Sequence, residues 1–119
     1  MRELTTVVHD TPAGPVLEVL GDLDFHTAPQ FRDAVEKIVL RPGRQLVLDL
    51  TGLEFCDSSG VTALIAARNH AFAAEAVIAL AAVPSNTARI LRIVGLDQMF
   101  PIHPDAATAV AAHLPADDD

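Results

Sequence analysis

Aromatic residues make up only 4% of this 119-residue sequence, so a core must be built from aliphatic side chains and alanine, which the 50% hydrophobic content supplies. Cysteine occurs once, as Cys56, which excludes an internal disulfide. Lying between Phe55 and a turn, it suits the part of a small buried hydrophobe. No apolar run approaches the roughly 18 residues of a membrane span. The opening MRELTTVVHD carries acidic residues where a signal peptide needs a charged and then an apolar stretch. The protein is therefore expected in the cytoplasm and off the membrane. Basic residues are few and scattered, 8 against 16 acidic ones, and the net charge of −8 argues against nucleic acid, whose phosphates bind clustered Lys and Arg. Acidity of this size chiefly confers solubility, and it permits a basic protein partner.

Several chemical motifs are missing as well. There is neither a P-loop nor a G-x-G-x-x-G pattern for a nucleotide, and no G-x-S-x-G elbow for a nucleophilic serine. His9, His26, His70, His103, His113 and Cys56 show no metal-ligand spacing. Nothing places one of these histidines as a base against Ser58 or Cys56, so intrinsic catalysis is not expected, and neither is a cofactor or metal.

What is present is one domain's length of alternating strand and helix patterns. Leu4-Val8 and Val16-Leu20 read as strands of a hairpin around the turn Asp10-Gly14. Thr27 is placed to cap a helix with Pro29 in its first turn and Gln30 reaching back; Ala28, Phe31, Ala34, Val35 and Ile38 carry that helix to about residue 40. Gln45-Leu50 is a nearly continuous apolar run, the pattern of a strand covered on both faces. After a loop over Thr51-Cys56, a second helix begins at Asp57-Ser58-Ser59-Gly60 and carries Val61, Leu64, Ile65, Ala71 and Phe72 inward. Ala76-Ala82 is a further buried strand. A third helix opens at Pro84-Thr87, carries Ile90, Leu91 and Val94, and stops at Gly95. Met99-Ile102 reads as a short edge strand blunted by Pro101, and Asp105-His113 as an Ala-rich last helix. No internal repeat is visible.

The order β β α β α β α β α predicts an α/β domain, a mixed sheet of four to five strands with about four helices. Open sheets of this kind place their sites where strand carboxyl ends meet helix amino ends, which directs attention to residues 49–60. There a serine hydroxyl sits in the first turn of a helix, where free N–H groups and the positive end of the helix dipole favour a negative group. Local physics leaves two readings open: Asp57 or Ser58 is simply an N-cap, or the site receives a phosphate.

The longer stretch Leu46-Val-Leu-Asp-Leu-Thr-Gly-Leu-Glu-Phe-Cys-Asp-Ser-Ser-Gly60 resembles the signature of the STAS-domain anti-sigma-factor antagonists. Gly21-Asp-Leu-Asp24 with Thr27-Ala28, and Ile90-Leu-Arg-Ile-Val-Gly-Leu96, match in the same order, so the resemblance covers nearly the whole chain. It implies a STAS-type single domain over residues 1–114, followed by an acidic tail at 115–119. It also implies that a partner serine kinase, itself the anti-sigma factor, phosphorylates Ser58, the residue directly after the aspartate, and that a protein phosphatase resets the switch. The expected partner surface comprises Asp22, Asp24, Asp57, Ser58, Ser59, Val61 and Thr62, on a domain that can act as a monomer. Asp24 either orients the hydroxyl or caps its own loop. Where many relatives continue Gly-Leu-Gly, this chain has Gly60-Val61-Thr62, a bulkier residue near that surface. The same fold also serves as a phosphorylation-silent scaffold, in lipid-trafficking complexes and at the tails of anion transporters, so a non-switching or transporter-associated subunit is the alternative. The intact Asp57-Ser58-Ser59 favours the switch.

Overall fold

The computed structural model describes residues 3–114, and the acidic tail expected at 115–119 lies outside them. Strands β1 (Leu4–Thr11) and β2 (Gly14–Leu23) form a hairpin longer than the sequence pattern indicates, closed by the pair Thr11 and Gly14. Gly14 is at φ +138°, and a Cβ there would stand 2.0 Å from the Gln45 carbonyl oxygen, so the turn accepts no side chain at this position. Helix α1 (Ala28–Glu36) returns the chain to β3 (Gln45–Asp49), which pairs in parallel with β2 over Val16–Glu18. Beyond a tight turn, β4 (Leu53–Cys56) resumes pairing with the last residues of β2, where β3 has left it. Helix α2 (Ser58–Ala73), β5 (Val77–Ala81), α3 (Ser85–Ile93), a 3-10 turn (Leu96–Gln98), β6 (Ile102–His103) and α4 (Ala106–Ala112) complete the fold. The strand order is β1-β2-β3-β5-β6, with β4 attached to β2; β1 is antiparallel and the other pairings are parallel.

Among the described residues the α/β class and the four helices are as the sequence predicts, while the sheet has six strands instead of four to five. The extra one is β4, in the segment expected to be a loop; its central residues Glu54 and Phe55 are both exposed, so it lacks the alternation that marks a strand. The last strand is shifted as well. Residues 96–98 tighten into the 3-10 turn, and Pro101, which has no N–H to give, accepts a hydrogen bond from Leu80 N at 2.9 Å just before β6 begins. Helix α1 ends earlier than residue 40, and its expected capping box does not form. Thr27 Oγ1 instead donates to the Asp22 carbonyl at 2.8 Å, and Gln30 Nε2 donates to the Leu4 carbonyl at 2.9 Å, tying the helix to β1.

Continuous apolar runs in β3 and β5 are explained by burial on both faces. On one face, Leu17, Val19, Leu46, Leu48 and Leu80 pack against Phe31 of α1, Leu64 of α2 and Leu91 of α3. On the other, Val16, Val47, Ala79 and Ala81 lie beneath Ala109 of the short helix α4, where small side chains permit close approach. Phe72 and Val94, expected inward from their spacing, are at the surface. Phe72 lies under the Arg68 guanidinium, 4.2 Å from its ring centre, a contact that keeps it on the helix's outer side.

Leu64 is fully buried and Val94 is 55% exposed. Leu64→Ala should therefore cost about 2–5 kcal/mol of unfolding free energy, whereas Val94→Ala should stay within about 0.5 kcal/mol of the native protein. Urea denaturation of both variants checks this, and equal losses would show that the inner faces of α2 and α3 are misassigned.

Candidate functional site

At the carboxyl end of the sheet, Leu23 of β2 and Cys56 of β4 are register partners. Asp57 N donates to the Leu23 carbonyl at 3.3 Å, and the chain turns directly into α2. Asp57 is the N-cap, in extended conformation, its Oδ1 accepting from Gly60 N at 3.0 Å. Gly60 lies against the end of β2 so closely that a Cβ would stand 2.3 Å from the Leu23 carbonyl oxygen and 2.6 Å from Cys56 Sγ. The first turn of α2 is thus seated on the strand end through a glycine whose packing role was not evident from the motif alone.

Ser58, the first residue of α2, is exposed, and among the described residues its hydroxyl makes no hydrogen bond; its carbonyl accepts from Thr62 Oγ1 at 3.0 Å. Ser59 is half-buried and Thr62 exposed. Val61 is buried in the main core, so it supports this surface from beneath. Asp22 pairs in register with Phe55. Asp24 Oδ1 accepts from His26 N at 2.9 Å and Thr27 N at 3.1 Å, and Thr27 Oγ1 lies 3.3 Å away. The structure thus shows the carboxylate of Asp24 capping its own loop, with no hydrogen bond to Ser58. Phe55 is 51% exposed. Phe25, in the loop after β2, is 73% exposed and meets the His26 ring edge-on.

Among the described residues no cluster of His, Cys, Asp and Glu converges as a metal site. A cleft of about 860 Å³ is lined by residues of β1, α1 and the following loop, including Val8, Lys37 and Arg44, and shares no residue with the Ser58 surface. Ser58 is thus exposed and lines neither this cleft nor the one between α4 and the hairpin.

Residues 6–102 match the family model described as "Mlab, STAS domain". The chain belongs to the STAS-domain family. It is 35% identical over 86 residues to a STAS-domain-containing protein of Pseudomonas aeruginosa, an alignment covering 72% of this chain and 84% of the relative. It is 30% identical to the anti-sigma-F factor antagonist of Mycobacterium tuberculosis over 97 residues, 82% of this chain and 79% of the relative. The crystal structure of an anti-sigma factor antagonist from Mycobacterium paratuberculosis superposes with a TM-score of 0.81 at 32% identity, covering 93% of this chain and 94% of that one.

Within this STAS domain Cys56 has the structural role its sequence context suggests. Its thiol is buried, and burial, aided by the neighbouring Asp57 carboxylate, raises its pKa from 9.0 to about 12. A thiol held protonated is a poor nucleophile. A thiol-labelling reagent at pH 8 should leave Cys56 unmodified in the native protein and modify it in urea. Because the folded pKa lies above the unfolded one, the stabilisation is complete below about pH 9 and is lost as pH rises towards about 12. Comparing denaturation midpoints of the native protein and Cys56→Ala across this range tests the sign. An equally steep alkaline decline in both would remove Cys56 as its cause.

Proposed function

We propose that this STAS domain is an anti-sigma-factor antagonist acting in the cytoplasm. Its unphosphorylated form binds an anti-sigma-factor serine kinase and frees the sigma factor; phosphorylation of Ser58 ends that binding, and a protein phosphatase restores it. The observation that carries this reading is the exposed, uncommitted hydroxyl of Ser58 in the first turn of α2, following a capping aspartate. Membership of the family and the antagonists among the relatives support it.

The physical basis of the switch is local. A phosphate on Ser58 adds about −1.5 to −2 charges and three acceptor oxygens at a helix end whose N–H groups and dipole tolerate negative charge. The domain keeps its fold, but the surface that a kinase must desolvate now carries a dianion beside Asp57 and close to the loop of Asp22 and Asp24. Like-charge repulsion and the cost of stripping water from phosphate weaken the complex. Ser59, half-buried and one residue deeper, is a poorer substrate for a kinase.

Incubating the protein with the anti-sigma-factor kinases of its source genome, Mg²⁺ and ATP should give one phosphate, assigned to Ser58 by site-resolved mass spectrometry. Calorimetric titration should then rank kinase affinity as native close to Ser58→Ala, followed by Ser58→Asp, followed by the phosphorylated protein. The Ala variant loses a hydroxyl and keeps the cap supplied by Asp57, while aspartate supplies one charge where phosphate supplies about −1.5 to −2. Equal affinities for the Ala, Asp and phosphorylated forms would sink the switch, as would Ser59 emerging as the main acceptor.

A further inference from the structure

The chain has five phenylalanines and no other aromatic residue. Phe31 and Phe100 are buried, as a folded domain requires of its largest apolar side chains. Phe72 is 47% exposed and is covered on one side by the Arg68 guanidinium. Phe25, 73% exposed although its ring meets His26 edge-on, and Phe55, 51% exposed, leave two of the largest apolar groups of an aromatic-poor protein mostly in water.

The sheet register gives their positions a common meaning. Leu23 of β2 faces Cys56 of β4 across adjacent parallel strands. Two residues beyond Leu23 the chain reaches Phe25, and two residues beyond Cys56 it reaches Ser58. Phe55 stands one residue before Cys56, with Asp22 as its own register partner. Both rings therefore lie at the same end of the sheet as Ser58, Phe25 in the loop after β2 and Phe55 near the end of β4, pointing away from the buried Cys56. The bond from Asp57 N to the Leu23 carbonyl and the seating of Gly60 on that carbonyl hold the two sides together.

We propose that Phe25 and Phe55 are the apolar anchors by which the partner kinase grips this surface, each ring entering an apolar pocket of the kinase beside Ser58. The inference rests on the reading of Ser58 as a kinase-recognised switch and adds the source of its affinity. Aromatic side chains at the centre of an interface carry a large share of binding energy, because they bury much area and lose little conformational freedom. The rings supply residence once the complex has formed. Phosphate on Ser58 then falls in the dry part of the interface, where a dianion is most costly to desolvate.

The test uses the full chain and the purified anti-sigma-factor kinases of the source genome. Phe25→Ala and Phe55→Ala should each weaken kinase binding by about tenfold or more, while Phe72→Ala binds like the native protein. Melting temperatures of the two anchor variants should match the native value, since neither ring belongs to the core. Native-like affinity in both anchor variants, with phosphorylation still abolishing binding, would overturn the anchors and leave the switch intact. Loss of binding in the anchor variants, with the phosphorylated protein binding as well as the unphosphorylated one, would uphold the anchors and overturn the switch. If no kinase binds the native protein, both fall.

Discussion

The site depends on one backbone contact, the approach of the first turn of α2 to the carbonyl of Leu23. Two contacts converge on that oxygen at the last residue of β2: Asp57 N donates to it, and Gly60 lies so near that a Cβ would stand 2.3 Å away. Because β2 is an interior strand, bonded to β1 and to β3 and then β4, the helix end is fixed to a rigid element. Every group at the surface takes its position from there. Asp57 caps the helix, Ser58 opens it, and the Asp24–Thr27 loop leaves β2 at the same point, held by Thr27 Oγ1 and Asp24 Oδ1.

This seating bears on how a phosphate could act without refolding the domain. The core beneath the site is apolar: Val61, Leu64 and Cys56 are all buried, and burial favours the protonated Cys56 thiol. A side chain at the first position of the helix points away from this packing. Added charge there meets favourable N–H groups and a dipole, so its energetic cost to the free protein is small. The cost appears only when the surface must be dehydrated against a partner. A modification with little effect on folding and a large effect on binding requires that separation between a rigid floor and an exposed hydroxyl.

Much of this was legible in the sequence because it rests on periodicity and on residues with restricted roles. The continuous apolar runs of β3 and β5 announced strands covered on both faces, and the spacing of Val61, Leu64 and Ala71 gave the inner side of α2. Asp57 as cap and Gly95 at φ +77° after α3 are stereochemical signals that tertiary structure did not override. What escaped was decided by neighbours distant in sequence. Strand β4 exists because β2 has an unsatisfied edge where β3 departs, and a four-residue segment with two exposed central residues cannot announce that. Thr27 and Gln30 had the types of a capping box but found better partners in the Asp22 and Leu4 carbonyls. Phe55 and Phe72 were apolar at positions compatible with burial, and no local rule says that a phenylalanine will face water.

Those outward phenylalanines are the informative departure, since hydrophobic spacing fails most often where function overrides folding. The exposure of Phe25 is not forced by its loop, whose geometry is set by Asp24 and Thr27 through polar contacts alone. A polar residue at position 25 would leave every one of those hydrogen bonds in place. The exposure of Phe55 is likewise not forced by β4, which is held by backbone pairing to β2 and by the buried side chains of Leu53 and Cys56 on either side. Folding therefore makes no demand for an aromatic ring at either place. Both rings raise the tendency of the free protein to associate nonspecifically, a tendency that its acidity opposes. Under the proposed function, the two apolar rings would supply affinity, and the uncommitted hydroxyl at the start of α2 is where a change of charge would act on it.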